Sequence, residues 1–140
     1  MFPNHNCSPA LKECLSGLEE QLRPLADKAV PLLVADSDPL QVWAAVLACQ
    51  HLGIPLFLAN PHWGEREWGQ ALAGLGSAWR WRQGRLRGDP NPFNNPHLWH
   101  WQQILPSADW PVIGIPTGGS GGQVKWAVHS WRTLSASARA

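Results

Sequence analysis

The chain has 140 residues, 44% apolar and 15% charged, with a formal net charge of +1. That is the length of one domain with room for a real core, and so small a charge gives no global attraction toward nucleic acid or an anionic membrane. No apolar run approaches the ~20 residues that span a bilayer, and residues 1–7 lack the basic-then-hydrophobic order of a secretory signal.

Leu11, Leu15, Leu18, Leu22 and Leu25 recur at steps of four and three, the apolar stripe of one helix. Ser8 and Pro9 supply a cap and a proline at the first helical position, and Pro24 ends the regular part. Residues 29–35 are a short apolar run, read as a buried strand. Asp36 and Asp38 read as turn and cap residues before a second helix over 40–52 that is apolar on most sides. A helix of that kind lies inside a layered fold. Gly53 closes it, residues 54–59 form the next strand, and the turn from Asn60 opens a third helix over 65–75. Glu65, Arg66 and Glu67 read as its solvated face. Strand and helix alternating at this spacing predict an α/β fold, a layered sheet with flanking helices and right-handed crossovers.

Trp79, Arg80, Trp81 and Arg82 alternate with period two, as in a half-exposed strand. Over 79–87 two tryptophans interleave with four arginines, a pattern that also suits a single nucleic-acid strand through stacking and phosphate contacts. The low net charge weighs against that, and arginine on a strand edge also discourages edge pairing. Residues 88–96 are rich in turn formers, and 99–105 read as a short helix before Pro106. The ten tryptophans, in a chain with no tyrosine, are read as packing residues, Trp131 among them, and His129 is read likewise. Cys7, Cys14 and Cys49 lack C-x-x-C spacing and read as reduced thiols, consistent with a cytoplasmic protein. His97 and His100 have no second ligand pair, so no metal site built by the protein itself is expected.

The most informative segment follows. An apolar run over 112–115 ends at Pro116 and opens into Thr117, Gly118, Gly119, Ser120, Gly121 and Gly122. A second apolar run over 124–128 leaves the loop with Lys125 near its start, and residues 130–134 look like the beginning of a helix. Glycines allow positive φ and close approach of a ligand to the main chain, and consecutive amides in such a turn make a concave anion site. Four glycines cost ordering entropy that a bland turn would avoid. Thr117, Gly118, Gly119, Ser120, Gly121, Gly122 and Lys125 are therefore the candidate phosphate-binding residues. The Walker A loop needs a Gly-Lys pair that is absent here, and the G-x-G-x-x-G fingerprint fails in register with no helix directly after the glycines.

A strand, a Ser/Thr/Gly loop and a lysine opening a second strand resemble the phosphate loop of the adenylate-forming superfamily of acyl-CoA synthetases. Thr117, Gly118, Gly119, Ser120, Gly122 and Lys125 match that loop position by position. Gly121 stands where a hydroxyl residue is usual, and Val124 where proline is commoner. Residues 40–72 and 110–135 look most like 2-succinylbenzoate–CoA ligases of cyanobacterial type, enzymes of menaquinone and phylloquinone biosynthesis.

The resemblance implies the N-terminal part of the large domain of an adenylate-forming enzyme. It also implies a two-step reaction: a small-molecule carboxylate attacks the α-phosphate of ATP to give an acyl-adenylate and pyrophosphate, and the thiol of coenzyme A then displaces AMP. The loop over 116–125 would hold the β- and γ-phosphates, with Thr117 and Ser120 donating hydrogen bonds and Lys125 supplying charge. Mg²⁺ would bridge phosphate oxygens. In that superfamily the adenine-binding segment, the ribose-holding aspartate, the metal-associated acid and the catalytic lysine all lie downstream of the loop. Residues 1–140 are accordingly expected to be a partial N-terminal domain with the C-terminal domain absent. Such a piece has no catalytic residue of its own, is inactive alone, and is partnered by a complementary C-terminal fragment. A third of a fold would also leave apolar patches uncovered. The competing expectation is a stand-alone, non-catalytic nucleotide-binding or interaction protein.

Overall fold

Ser8 opens the first helix as expected, its Oγ accepting from the Leu11 amide at 3.2 Å. The computed structural model describes residues 8–26, 30–75, 78–82, 84–88, 112–118 and 124–133. Helix α1 (Pro9–Leu22) passes into a 3-10 turn (Arg23–Leu25) at Pro24. It buries Leu11, Leu18 and Leu22, while Leu15 and Leu25 pack half-buried against the same core. Helix α2 (Pro39–Leu52) starts at Asp38, whose Oδ1 accepts from the Leu40 amide at 3.0 Å. It ends at Gly53, whose φ of 74° makes a left-handed cap.

Six strands form one sheet: β1 (Leu32–Val34), β2 (Leu56–Leu58), β3 (Trp79–Arg82), β4 (Arg85–Arg87), β5 (Val112–Gly118) and β6 (Val124–Ser130). Their order is β4-β3-β1-β2-β5-β6. The inner four are mutually parallel, and β4 and β6 run antiparallel to their neighbours. Helix α3 (Glu65–Leu75) links β2 to β3.

The layers follow from side-chain alternation along the strands. Leu32, Val34, Leu56, Trp81 and Ile113 share one core with α1 and α2. Leu33 and Phe57 point the other way, into a second core with Leu75, Trp68 and Leu72 of α3 and Trp126 and Val128 of β6. All of β1 is buried, which explains its unbroken apolar run: parallel strands covered on both faces need no polar side.

Helix α2 is apolar nearly all round because it lies between the sheet and α1. Ala44, Ala45, Ala48 and Cys49 are fully buried, and His51 Nδ1 reaches Glu19 Oε1 on α1 at 2.9 Å. The two layers expected around this helix are thus the sheet and α1. Among the described residues Trp43, 39% exposed, is the one large apolar side chain on the surface, so the expected uncovered patch is not found there. None of the described helices is long and apolar enough to cross a membrane. Cys14 is half-buried and Cys49 buried, both as free thiols.

The sequence reading missed β4. Gly84, at φ 74°, sits in the turn between β3 and β4, and Arg80 and Arg82 pair with Arg87 and Arg85. The short helix expected over 99–105, most of the turn-rich stretch 88–96, and His97 and His100 lie outside the described residues. Residues 131–133 are helical. Ser130 caps them reciprocally: the Thr133 amide donates to Ser130 Oγ at 3.0 Å, and the Ser130 amide to Thr133 Oγ1 at 3.1 Å.

Candidate functional site

The two apolar runs flanking the glycines are the paired strands of one hairpin. β5 lies beside β2, with Leu56 opposite Ile113 and Phe57 opposite Gly114. It then continues to Gly118, pairing with β6 all the way. Gly114 is required for that seating, because a Cβ there would collide with the Phe57 ring.

The β5–β6 ladder includes Pro116 opposite Trp126, Thr117 opposite Lys125 and Gly118 opposite Val124. Thr117 and Gly118, expected in the phosphate loop, are therefore strand residues at the hairpin's upper end. Gly119, Ser120, Gly121 and Gly122 lie outside the described residues. Thr117 and Lys125 are exposed and opposite each other, which puts their side chains on one face of the hairpin. Trp126 and Val128 pack toward α3, so Lys125 projects to the other side, shared with Ile113 and the α1–α2 layer. Thr117 Oγ1 donates to the Lys125 carbonyl at 3.3 Å. To hold a phosphate oxygen, that hydroxyl must first turn away from the partner strand.

Helix α3 fixes the upper end of the hairpin. The Val124 amide donates to Gln70 Oε1 at 2.9 Å, and Trp126 Nε1 to the Ala71 carbonyl at 3.0 Å. Trp126 meets Phe57 edge-on at 5.2 Å between centroids and Trp63 at 6.0 Å. The Val124 amide, inside the window expected to grasp an anion, is thus already satisfied. Gln70 is the positioning residue that sequence reasoning missed, since its partner is 54 positions away and no local pattern marks it. His129 is half-buried opposite Ile113, and Trp131 packs on the α1–α2 core, as the packing reading expected.

β1, β2 and β5 are parallel, so the turn after β1, the turn after β2 and the hairpin's upper end all lie at the carboxyl end of the sheet. α2 leaves β1 toward one face and α3 leaves β2 toward the other. In open α/β sheets that divergence marks where ligands bind.

A scan of protein-family models finds no match, and a search of curated proteins finds none either. Two solved structures do match: the NpsA N-terminal subdomain of Klebsiella oxytoca in space group P21 and the same subdomain in complex with 3-hydroxybenzoyl-AMSN. Their TM-scores are 0.56 and 0.58, each at 17% identity over 89% of this chain. The match covers 35% and 34% of those chains, so this chain spans about a third of their length. The likeness is one of fold: the layered sheet with flanking helices.

Proposed function

We propose that the chain is the N-terminal portion of an ATP-dependent acid–CoA ligase that works through an acyl-adenylate, of the 2-succinylbenzoate–CoA ligase type, and that its β5–β6 hairpin grips the triphosphate. One observation carries this reading: Thr117 and Lys125, the residues that flank the glycine-rich segment of the sequence, stand opposite each other on paired strands at the carboxyl end of a parallel sheet. The shared fold with the N-terminal subdomain of NpsA, an adenylate-forming enzyme, supports the superfamily. The segments 40–72 and 110–135 support the finer type.

On this reading Lys125 neutralises charge on the outer phosphates and Thr117 and Ser120 donate to their oxygens, so the α-phosphorus is held for in-line attack by a carboxylate. Among the described residues no three His, Cys, Asp or Glu side chains come together. Mg²⁺ arriving with the nucleotide would therefore take its ligands from phosphate and water, which suits its octahedral preference. Adenine and ribose contacts, the catalytic lysine and the coenzyme A site are assigned to the rest of the enzyme, in a C-terminal fragment or domain. This chain by itself is inactive in that scheme.

The test is nuclear magnetic resonance titration of this chain with Mg·ATP, tripolyphosphate and AMP. ATP and tripolyphosphate shift the amides around Thr117 and Lys125, AMP does not, and Lys125→Ala weakens the effect about tenfold. Equal shifts with AMP, or none with tripolyphosphate, would refute the phosphate grip. The cover that α1 gives α2 favours a second reading, a self-contained nucleotide-binding protein without turnover. Tight ATP binding by a cooperative monomer would select it.

A further inference from the structure

The strands β3 and β4 sort their side chains strictly by face. Trp79, Trp81 and Leu86 pack inward on the α1–α2 core. Arg80, Arg82, Arg85 and Arg87 are all exposed, and the register sets Arg80 against Arg87 and Arg82 against Arg85. Four guanidinium groups thus share one face of a two-stranded corner, in a chain whose formal net charge is +1. Like charges directly opposite each other on a sheet destabilise it. Guarding an edge explains only half of them, because β4 is the edge strand and β3 is interior.

The same face has a shaped recess. A cavity of about 320 Å³, in the range of small-molecule sites, is lined by Arg80, Arg82 and Arg87, by Trp68, Leu33 and Ala35, and by Trp81, which also packs in the α1–α2 core. No carboxylate lines it among the described residues. Trp68 is held by Trp63, edge to face at 5.3 Å, so that ring is braced. The described element packed on this side, α3, contacts β6 and covers the Phe57 end of the sheet, away from β4.

We propose that this recess binds a small organic dianion bearing a planar ring, with the oxyanion on the arginines and the ring against half-buried Trp68. Guanidinium forks fit phosphate and carboxylate oxygens two at a time, and such an anion relieves the repulsion between the paired arginines. A single nucleic-acid strand is disfavoured by the same geometry. Trp79 and Trp81, the rings that would stack bases, are turned into the core on the opposite face. The site is separate from the β5–β6 hairpin and does not depend on the reading given for it.

Phenyl phosphate, inorganic phosphate and a single-stranded oligonucleotide are titrated calorimetrically into the wild-type chain, Arg80→Gln/Arg87→Gln, Arg82→Gln/Arg85→Gln and Lys125→Ala. The expected result is that phenyl phosphate binds more tightly than inorganic phosphate. Either arginine pair weakens it about tenfold, and Lys125→Ala leaves it unchanged. Thermal melts give an independent readout: both arginine double variants melt higher than wild type without ligand, and phenyl phosphate raises the wild-type midpoint alone. The proposal is overturned if phenyl phosphate binds no better than inorganic phosphate. It is also overturned if Lys125→Ala abolishes its binding while the arginine variants do not, or if the oligonucleotide binds and phenyl phosphate fails to displace it.

Discussion

Gly114 of β5 lies directly beside Phe57 of β2, and the Phe57 ring occupies the space that a Cβ on Gly114 would need. Phe57 is fully buried and also meets Trp126 edge-on. The hairpin's position against the sheet therefore depends on a missing methyl group. Gly114→Ala should cost about 1–3 kcal/mol by overpacking, read from urea denaturation. Phe57→Leu in the same chain should recover part of that loss, since it shrinks the obstructing ring. If Gly114→Ala is neutral, the close seating of β5 on β2 is wrong.

Gly53 offers the contrasting case. Nothing lies within 4 Å of a Cβ built there, so its φ of 74° is the whole constraint. Gly53→Ala should cost about 1 kcal/mol through backbone strain. Gly53→Asn should cost less, because asparagine tolerates the left-handed region. Equal losses for the two variants would point to a clash instead.

Gln70 should matter to the hairpin more than its surface position suggests. Gln70→Ala removes the acceptor of the Val124 amide and should lower stability by about 1 kcal/mol. Exchange of that one amide with solvent deuterium should accelerate, whereas Gln70→Glu, which keeps an oxygen in place, should preserve its protection. Unchanged exchange in the alanine variant would remove Gln70 from its anchoring role.

Burial raises the Cys49 thiol well above its ordinary value of 9.0. Below that pH the thiol keeps its proton in both folded and unfolded chains, and the associated stability is fully present. Above it the unfolded chain releases the proton while the folded one retains it, so the unfolded state binds fewer protons and stability falls with pH. The slope approaches about 1.4 kcal/mol per pH unit for this one group. Denaturation from pH 8 to pH 10.5 should show this loss in the wild type, and Cys49→Ala should flatten it. Parallel curves for the two proteins would contradict the assignment.

The three helices were legible because each carries local punctuation: Ser8-Pro9, Asp38-Pro39 and Gly53, and the Asn60 turn ahead of Glu65. The strands at Leu32, Leu56 and Val112 were legible as apolar runs, but their order was not, since nothing local says that β3 returns beside β1. β4 escaped notice because Arg85-Leu86-Arg87 is short and mostly charged, although Gly84 marks its turn. Period-two alternation at Trp79–Arg82 correctly gave a strand with two unlike faces. Which face turns inward depended on tertiary packing, and that choice decides against base stacking. At the hairpin the sequence reading placed Thr117 and Gly118 in the loop, whereas both are strand residues, since strand pairing next to a glycine-rich segment leaves no composition signature.

The contact of α1 with α2 has a practical corollary for anyone reshaping this polypeptide. Leu11, Leu18 and Leu22 do not decorate the outside of a finished body; they roof the side of α2 that the sheet leaves bare. Trimming the leading segment would uncover a greasy strip and invite self-association, so useful deletions or fusions belong at places that leave that roof intact.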